Sequence, residues 1–457
     1  MASQLNGVEV AVVGAGIMGI SVAYYLVARH GIRSIALIDP RDPMSLTSAQ
    51  SGENYRNWWP DEVMRRLTDD SIGLLEDIAR ESGNRINMTR RGYALVTRRS
   101  DPSDLVDGLH RAYGDADGFV RIHSGSGPHD SYLESTSDWS KAPGGFDVIK
   151  DRALIRKAFP AYAPDVEAVI HVRRAGSISG QQLGQFMLER IREAGGVLIR
   201  GNVVSVTAGS RFELSIDRGG ETKTLSAEKL VNAGGPFVRD VAGYIGEDVP
   251  VLNVYQQKIS FEDHLGVVPR NLPFTIDLDG PTLSWTDEER ELLESDPATE
   301  KFTRPMVGGI HCRPDGPESG KWIKLGWAYN STASDPHDAE PIDTQFPDLV
   351  LRAASRLQPG LANYIGRLPR QSHHYGGYYT MTKENWPLIG PMRTPGAFMA
   401  AAPSGFGTMT ATMSGSICAD WVAGRAVPSY AEALTAKRYE TGGLPDDLTE
   451  SVDRGLL

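Results

Sequence analysis

The feature that most constrains this chain is a glycine-rich turn near its beginning, the pattern G-x-G-x-x-G over Gly14–Gly19. The apolar run Val8–Val13 before the turn predicts a buried strand, and the run Ile17–Arg29 after it predicts a helix. In such a unit the first glycine makes the tight turn, the second lets the backbone approach a pyrophosphate, and the third lets the helix pack on the strand. The turn therefore predicts a dinucleotide site at the helix N-terminus, where backbone N–H groups attract phosphate.

An acidic residue stands where a dinucleotide site needs one. Residues 34–38 predict a second strand, and Asp39 closes it 20 residues after Gly19. A carboxylate there accepts a hydrogen bond from the adenosine ribose, and it disfavours a 2′-phosphate although Arg41 is close. The alternative is a glycine-rich turn that binds nothing, but the strand, the helix and the acid in register favour a dinucleotide.

Strands alternate with helices at both ends of the chain, which is typical of a parallel α/β core. Residues 100–147 are expected to form a loop, because Gly, Ser, Pro and Asp cluster there. Alternating strands and loops over 250–335 indicate a second domain inserted into the first. The pattern predicts further helices over 61–82, 182–194, 346–357 and 408–422, further strands over 93–97, 197–206 and 229–232, and an antiparallel meander over 212–225.

Composition and charge disfavour several classes of protein. The 457 residues contain 47 Lys and Arg against 58 Asp and Glu, and a net charge of −11 disfavours binding to nucleic acid or to an anionic membrane. We expect no membrane span, because glycines interrupt the apolar run over 8–27. Two cysteines, Cys312 and Cys418, are too few for a disulfide framework, which favours a cytoplasmic setting. We expect a monomer or a small homo-oligomer.

Three further stretches stand out beside the glycine-rich turn. They are Thr47–Gly52 with Arg56, Leu230–Pro236, and a C-terminal block made of Tyr379–Thr382, Trp386–Pro391 and Ser404–Gly407. Together the four stretches resemble the FAD-dependent amine and amino-acid oxidoreductases related to D-amino-acid oxidase, and within them glycine oxidase and monomeric sarcosine oxidase. The resemblance covers most of the chain.

The resemblance implies an α/β fold of the glutathione-reductase-like FAD type. A Rossmann-type FAD-binding domain with a parallel sheet is expected over 1–90, 175–248 and 365–457. A substrate-binding domain with a mixed or antiparallel β-sheet is expected over 91–174 and 249–364.

The resemblance also implies that FAD is the dinucleotide. Residues 404–407 precede a helix and are expected to present backbone N–H groups to the flavin. In related enzymes a Cys or a His attaches the flavin covalently, but the matching positions here hold Gly377 or Tyr378 and the segment Ala49–Ser51, so we expect noncovalent FAD. The residues expected to contact it are Gly14, Gly16, Ile17, Met18, Asp39, Arg41, Ser48, Ser51, Gly52, Val204, Ala233, Gly234, Gly235, Gly405, Phe406, Gly407 and Thr408.

One lysine resembles a residue that promotes reaction with oxygen. The stretch Lys321–Gly326 is similar to the Lys-Leu-Gly strand of monomeric sarcosine oxidase, and Lys324 is the matching residue. A fixed cation stabilises the negative charge that develops when O2 is reduced, and a lysine is costly to bury without such a role. The alternative is a strand lysine that faces solvent.

The substrate residues depart from those of monomeric sarcosine oxidase, because Met409 replaces a carboxylate-binding Lys and Ala328 replaces a His. Arg56 is the best candidate for binding a substrate carboxylate and Arg313 is the second, since a guanidinium binds a carboxylate through two hydrogen bonds. Aromatic side chains are candidates for the walls of the site, or simply for the core. They are Trp58, Trp59, Tyr255, Trp327 and Tyr329.

We therefore expect an FAD-dependent oxidase of a secondary amine or of an N-substituted or D-amino acid. Hydride transfer from the α-carbon to flavin N5 gives an imine, and O2 reoxidises the flavin with release of H2O2. Two alternatives are a dehydrogenase that passes electrons to a quinone or protein acceptor, and a flavin-binding subunit of a heteromeric complex. The pair His373 and His374 lacks the companions of a metal site, so no metal is expected, and His374 is instead a candidate for lining the active site.

Overall fold

Two nine-stranded β-sheets organise the chain in the computed structural model, which describes residues 3–5, 7–114, 118–125 and 132–440. The strands are β1 (Ser3–Gln4), β2 (Val8–Val13), β3 (Ile35–Asp39), β4 (Asn54–Arg56), β5 (Tyr93–Thr97), β6 (Val120–His123), β7 (Phe146–Ile149), β8 (Ala168–Val172), β9 (Ala175–Ser177), β10 (Val197–Arg200), β11 (Asn202–Ala208), β12 (Phe212–Asp217), β13 (Thr222–Asn232), β14 (Leu252–Glu262), β15 (Phe274–Asp277), β16 (Ile310–Pro314), β17 (Trp322–Trp327), β18 (His373–Met381), β19 (Leu388–Pro391) and β20 (Ala397–Ala401). The α-helices are α1 (Ile17–His30), α2 (Glu62–Glu81), α3 (Ser103–Tyr113), α4 (Arg152–Ala158), α5 (Gly180–Glu193), α6 (Val238–Gly243), α7 (Asp287–Glu294), α8 (Phe346–Ser355) and α9 (Gly407–Val422).

The first sheet has parallel strands at its centre. β10, β3, β2 and β13 lie side by side in that order, and β20 pairs in parallel with the end of β13. Five of the six residues of β2 are buried, which explains why its sequence is a nearly continuous apolar run. α1 and α9 pack together over one face of the sheet, where Gly415 lets α9 approach Ser21 of α1 closely.

The carboxyl ends of these parallel strands meet at one edge of the sheet. β2 is followed by the glycine-rich turn, β3 ends at Asp39, β13 is followed by Ala233, and β20 is followed by Ala402. Ligands of open α/β sheets bind outside this edge, because the loops that follow adjacent strands diverge there and leave a crevice. The fold therefore brings four stretches that are distant in sequence to one place.

The second sheet has the order β18-β14-β17-β16-β15-β5-β8-β7-β6. Its neighbours are antiparallel except at the β15–β5 and β6–β7 pairs. Apolar side chains on one face, including Ile323 and Leu325 of β17, pack against α8. Because successive side chains of a strand point to opposite faces, the residues between them point to the other face, where the site lies. β4 and β9 form a separate antiparallel pair.

Most predicted elements agree with the structure to within two residues at each end, and three predictions are wrong. The strand predicted over 229–232 is the end of β13, which begins at Thr222 within the predicted meander. Residues 100–147 are not a continuous loop, since α3, β6 and the start of β7 lie within them; residues 115–117 and 126–131 of this stretch lie outside the described residues. The predicted strand over 197–206 is two strands separated at Gly201, where a Cβ atom would lie 2.5 Å from Ile216 Cγ2. Such a break cannot be predicted from composition, because the break depends on how closely β12 packs against Gly201.

The division of the chain into domains at residues 90, 174, 248 and 364 stays a prediction. Strand β18 falls within 365–457, yet it pairs with β14 at the edge of the second sheet. Within the described ranges, no helix combines the length and apolar character that a membrane crossing requires.

Candidate functional site

The glycine-rich turn is held in place by contacts that only glycine permits. Gly14 has φ of 110°, and a Cβ atom there would lie 2.1 Å from the carbonyl oxygen of Ala233, which follows β13. A Cβ atom at Gly19 would lie 2.0 Å from the carbonyl oxygen of Gly14. These distances lie far inside van der Waals contact, so the turn, β13 and α1 can pack together only because both residues lack a side chain.

The start of α1 is open to a ligand. Gly16 is its N-cap and provides no side-chain cap, and no acidic residue lies in the first turn. Ser48 Oγ accepts a hydrogen bond from the Ile17 N–H at 3.0 Å. The other N–H groups of a first helical turn have no intrahelical acceptor, so this end of α1 offers donors and a positive dipole to an anion.

Asp39 ties the end of β3 to the turn. Its Oδ2 atom accepts from the Ala15 N–H and its Oδ1 atom accepts from the Arg41 N–H, both at 2.8 Å. A carboxylate has about four lone-pair positions, so these two bonds leave capacity for a ribose hydroxyl. The structure thus gives the carboxylate a structural role that sequence reasoning missed, in addition to its place in a cavity wall.

The first cavity, of about 480 Å³, lies at the carboxyl edge of the first sheet. Its lining includes Gly14, Gly16, Asp39, Arg41, Ser48, Val203, Ala233, Gly234, Gly235, Phe237 and Asp240. Val203 lines this cavity where Val204 was predicted, because neighbours in β11 point to opposite faces and the Val204 side chain is 43% exposed.

The second cavity, of about 100 Å³, continues from the first. Thr47 and Tyr378 are two of its residues, and their hydroxyl oxygens are buried without a hydrogen-bond partner among the described residues. Buried hydroxyls normally have a partner, so these two indicate that a polar ligand completes the site. The predicted residues that line it are Gly16, Ile17, Met18, Ser48, Ser51, Gly52, Ala233, Gly235, Gly405, Gly407 and Thr408.

A strained turn brings the start of α9 to the second cavity. Ala402, Ser404 and Gly405 have φ of 52°, 47° and 87°, and α9 begins at Gly407 without a side-chain cap. Left-handed conformations of non-glycine residues are unfavourable and persist only where the surroundings impose them. The turn therefore aims the uncapped N–H groups of α9 at the space that Gly405 and Gly407 line.

The third cavity is small, about 80 Å³, and lies between α9 and the second sheet. It is lined by Ser51, Gly52, Glu53, Asn54, Arg56, Tyr93, Lys258, Phe274, His311, Ala328, Tyr379, Gly405, Phe406, Thr408 and Met409. Among these, Lys258, Tyr379, Gly405 and Thr408 also line the second cavity. The two cavities are therefore adjacent, and Met409 and Arg56 lie where a substrate site was expected.

Arg56 is a buried cation of the third cavity. Only 2% of its surface is exposed, and no described carboxylate pairs with it. Its guanidinium carbon lies 4.8 Å from the centre of the Trp59 ring and 5.6 Å from that of Tyr93. Burial lowers the pKa of Arg56 to about 10, which still leaves it protonated at neutral pH. A buried charge without a counter-ion is unfavourable, so the geometry provides a place for an anion.

His311 of β16 and Lys258 of β14 face the third cavity from the two strands that flank β17. A Cβ atom at Gly326, which lies between them, would be 2.3 Å from His311 Nε2 and 3.2 Å from Lys258 Cγ. Burial and then the Lys258 charge lower the pKa of His311 to about 4, so the imidazole is neutral near pH 7. Its Nδ1 atom lies 3.1 Å from the carbonyl oxygen of Gly309, which can only accept, so Nδ1 carries the proton and Nε2 carries a lone pair.

Lys324 and Arg313 lie two residue pairs further along the same sheet face, in an ion-paired cluster. Lys324 Nζ lies 3.6 Å from Glu53 and 3.8 Å from Asp315, and Arg313 pairs with Asp315 at 2.7 Å. Arg313 also donates to the carbonyl oxygen of Gly52 at 3.0 Å. Burial and then the Arg313 charge lower the pKa of Lys324. Lys324 is buried, as predicted, but neither residue lines the second or third cavity.

Four of the predicted aromatic walls, Trp58, Trp59, Tyr255 and Trp327, are buried and line neither the second nor the third cavity, and His374 lies half-buried outside both. Tyr329 lines a separate cavity of about 860 Å³. Trp58 packs in an apolar cluster, and Trp59 packs its ring edge-on against Phe406 at 4.5 Å. Tyr255, Trp327 and His374 lie on the face of the second sheet away from the site, and each has a hydrogen-bond partner there. Tyr255 donates to Glu340 at 2.9 Å, Trp327 Nε1 donates to the Val307 carbonyl oxygen at 3.1 Å, and His374 Nε2 lies 2.9 Å from Gln257 Oε1.

Sequence reasoning missed Tyr93, Lys258, Phe274 and His311 as residues of the third cavity. The available signal was weak: a lysine three residues after the candidate Tyr255, and a histidine two residues before Arg313. Across the described residues, no group of three or more His, Cys, Asp or Glu side chains has the arrangement of a metal site.

The chain belongs to the family of FAD dependent oxidoreductases named DAO, because the family profile matches residues 9–421. Two curated proteins are similar at lower identity. Dimethylglycine dehydrogenase of Rattus norvegicus mitochondria is 22% identical over 436 residues, covering 94% of this chain and 45% of that protein. An uncharacterized oxidoreductase of Bacillus subtilis is 26% identical over 255 residues, covering 55% of this chain and 61% of that protein. The matches thus span about half of each relative.

Solved structures share the fold along nearly the whole chain. L-proline dehydrogenase from P. horikoshii has a TM-score of 0.72 at 18% identity, with 97% of this chain and all of that chain covered. Glycine oxidase from Geobacillus kaustophilus has a TM-score of 0.68 at 16% identity, covering 95% and 99% of the two chains. Iminodiacetate oxidase from Chelativorans sp. BNC1 has a TM-score of 0.67 at 17% identity, covering 93% and 98%. At these identities the likeness shows the fold.

The connected cavities fit FAD. The first offers a backbone cradle and an uncapped helix start for a pyrophosphate, with Asp39 near enough to bond a ribose. The second offers the unpartnered hydroxyls of Thr47 and Tyr378 and the N–H groups of α9. The two cavities share Gly16, Ser48 and the turn after β13, so one elongated ligand can occupy both.

Proposed function

We propose that the protein oxidises a secondary amine or an N-substituted or D-amino acid with FAD, and that O2 is the electron acceptor. Arg56 carries the proposal: it is a buried, unpaired guanidinium in the small cavity next to the flavin space. An amino-acid carboxylate is the anion that such a group binds through two parallel hydrogen bonds. The names of the structural neighbours, glycine oxidase and iminodiacetate oxidase, support the same substrate class.

The first cavity would hold the adenosine and pyrophosphate, and the second would hold the flavin ring. Bound FAD supplies a two-electron acceptor for the C–N bond, which this chain's side chains do not provide. Gly377 and Tyr378 line the second cavity at the position where related enzymes attach the flavin through a cysteine. The two cysteines of this chain, Cys312 and Cys418, are buried and do not line that cavity. We therefore propose that FAD is bound noncovalently.

His311 is proposed to orient the substrate nitrogen. Its neutral Nε2 atom accepts a hydrogen bond from the amine N–H, and its protonated Nδ1 atom is fixed by the Gly309 carbonyl oxygen. The nearby charges of Lys258 and Arg56 disfavour an ammonium group in the same cavity. The site thus favours the neutral amine, whose lone pair is needed for the C–N bond to be oxidised.

Lys258 is proposed to act on oxygen, in place of Lys324. Its side chain lines both the second and the third cavity, and its Nζ lies 5.4 Å from the centre of the Tyr379 ring. A fixed cation there stabilises the negative charge that develops on O2. In the overall reaction, amine, O2 and water give a carbonyl compound, the released amine and H2O2, with two electrons passing from the C–N unit to oxygen.

The test compares Arg56→Met with Arg56→Lys by anaerobic bleaching of the bound flavin. Loss of a buried charge partner costs about 2–5 kcal/mol, so the half-saturation concentration for an N-substituted amino acid should rise about 30-fold or more in Arg56→Met. The Arg56→Lys variant keeps the charge but lacks the planar guanidinium, so its half-saturation concentration should lie between those of wild type and Arg56→Met. A substrate amine without a carboxylate serves as the control and should respond much less. Equal half-saturation for the carboxylate substrate in all three proteins would refute the assignment.

A dehydrogenase is the second candidate, because the rat relative and the P. horikoshii structure carry that name. Mixing the anaerobically reduced protein with oxygenated buffer separates the two. Rapid reoxidation supports the oxidase, and slow reoxidation that a quinone accelerates supports the dehydrogenase.

A further inference from the structure

A fourth and much larger cavity, of about 860 Å³, lies beyond the substrate cavity. It runs along the same face of the second sheet. The residues that line it include Val249, Pro250, Val251, Leu252, Val254, Gln256, Leu278, Val307, Gly309, Ala328, Tyr329, Asn330 and Met381. It shares Ala328 with the third cavity.

Ala328 joins the two cavities. It lines both the third and the fourth, and it follows the last residue of β17 directly. Gly309 stands just before β16, beside His311, and lines the fourth cavity as well. At this boundary the side chain after β17 is therefore only the methyl group of Ala328, and Gly309 before β16 has no side chain. The residues at this boundary are small on both strands, which is compatible with a ligand that extends from one cavity into the other.

The third cavity is far smaller than the fourth, at about 80 Å³ against about 860 Å³. In the proposed binding mode the carboxylate lies at Arg56 and the nitrogen at His311, which leaves little of this space for a substituent. A large substituent on the nitrogen or the α-carbon therefore finds more room past Ala328, in the fourth cavity.

The lining of the fourth cavity is chiefly apolar. Seven valine, leucine and methionine side chains line it together with Pro250 and Ala328, and the Gln256 amide is already used, since its Nε2 atom donates to the Asn330 carbonyl oxygen at 2.7 Å. Of its charged residues, Arg239 and Asp248 pair with each other at 3.3 Å, and Lys383 is exposed. A lining of this kind favours an apolar group over a charged one.

We propose that the substrate carries a large apolar substituent, of about the size of an aromatic ring, which passes Ala328 and binds in the fourth cavity. This inference rests on the proposed function, and it adds that Ala328 determines the substrate's size. Small substrates such as N-methylglycine would use the third cavity alone, and would therefore gain nothing from the larger space.

The experiment measures anaerobic flavin bleaching by N-methylglycine and N-benzylglycine in wild type, Ala328→Val and Ala328→Leu. Since each methylene in an apolar pocket changes selectivity by about tenfold or more, Ala328→Leu should lower kcat/KM for N-benzylglycine at least tenfold relative to N-methylglycine, with Ala328→Val between. The matched control is Ala333→Leu, an exposed position outside all these cavities. D-Alanine and D-phenylalanine repeat the comparison for a substituent on the α-carbon.

The outcomes separate this inference from the proposed function. If both compounds of a pair bleach the flavin and Ala328→Leu leaves their ratio unchanged, the size inference is wrong and the function stands. If no amine bleaches the flavin, the proposed function fails, and binding of acetate and 3-phenylpropanoate, followed by the flavin spectrum, still tests the cavity. Tighter binding of 3-phenylpropanoate that Ala328→Leu removes supports the inference, and equal binding in both proteins overturns it.

Discussion

The first cavity, or cofactor cradle, and the third cavity, or substrate cavity, differ in the parts of the chain that line them. The cradle lies where the chain leaves adjacent parallel strands, and its lining includes five glycines, of which Gly14 and Gly16 belong to the glycine-rich turn. The substrate cavity consists of side chains from β4, β5, β14, β15, β16 and β18 with the start of α9. The first depends on local conformation and the second on the register between strands. Their predictability from sequence differs accordingly.

Two lysines on the same sheet face illustrate the difference. Lys258 lies beside Gly326, and Lys324 lies beside Ser260, two residue pairs further along the same two strands. Lys324 is neutralised by Glu53 and Asp315, whereas Lys258 lines two cavities and has no described carboxylate within ion-pair distance. Strand alternation alone would assign both lysines to the same face, so only their neighbours tell them apart.

The largest expected effect tests the cradle. Gly16→Val should abolish FAD binding, because a branched side chain would press on Ser48 Oγ and fill the space at the start of α1. The flavin-to-protein ratio after purification measures it. Gly144→Val is the matched control, since a Cβ atom there meets nothing within 4 Å. A Gly16→Val protein that retains full flavin would show that this turn is not the binding site.

The mode of FAD attachment is also an all-or-none property. Acid or heat denaturation should release the whole flavin into the supernatant, because Gly377 and Tyr378 cannot form a thioether and the segment Ala49–Ser51 contains no histidine. The absorbance of supernatant and pellet after centrifugation gives the answer. Flavin that remains in the pellet, and on the denatured chain in a gel, would mean that another residue attaches it.

The variants Lys258→Met and Lys324→Met test which of the two lysines acts on oxygen. We expect Lys258→Met to slow reoxidation of the reduced flavin by O2 about 10²–10³-fold, as loss of a preorganised charge does. Lys324→Met should slow it much less and should instead lower the melting temperature, because Glu53 and Asp315 lose a partner. Stopped-flow mixing with oxygenated buffer measures the rates. The reverse order would restore Lys324 as the oxygen-activating residue.

The smallest expected effect is a shift in a proton equilibrium. The His311 pKa of about 4 reflects burial and the Lys258 charge, and removing a positive charge favours the imidazolium. In Lys258→Met the midpoint should therefore rise from about 4 toward the ordinary value of about 6.5. NMR titration of labelled histidine, with His311→Gln for assignment and Lys321→Met as control, follows this change. A midpoint that does not move would place Lys258 too far away to act on His311.

Much of the cofactor site could be predicted from sequence, and little of the substrate site. The turn, Asp39, Ser48, the segment after β13, Gly405 and Gly407 line the first two cavities, because glycine requirements and helix starts are local properties. Arg56 and Met409, two of the predicted substrate residues, line the third cavity. The predicted residue Val204 is the neighbour of Val203, which lines the first cavity. Side chains of adjacent residues in a strand point to opposite faces, so the prediction missed the lining by one residue.

The sequence by itself determined the elements at the two ends of the chain, the dinucleotide turn and the family, because these depend on short-range spacing and backbone conformation. The tertiary structure alone decided which of several polar and aromatic residues face the substrate. Trp327 and His374 point to the core, while Tyr93 and His311 point to the cavity. A side chain's direction in a sheet depends on pairing and on what packs above it, and these partners are distant in sequence.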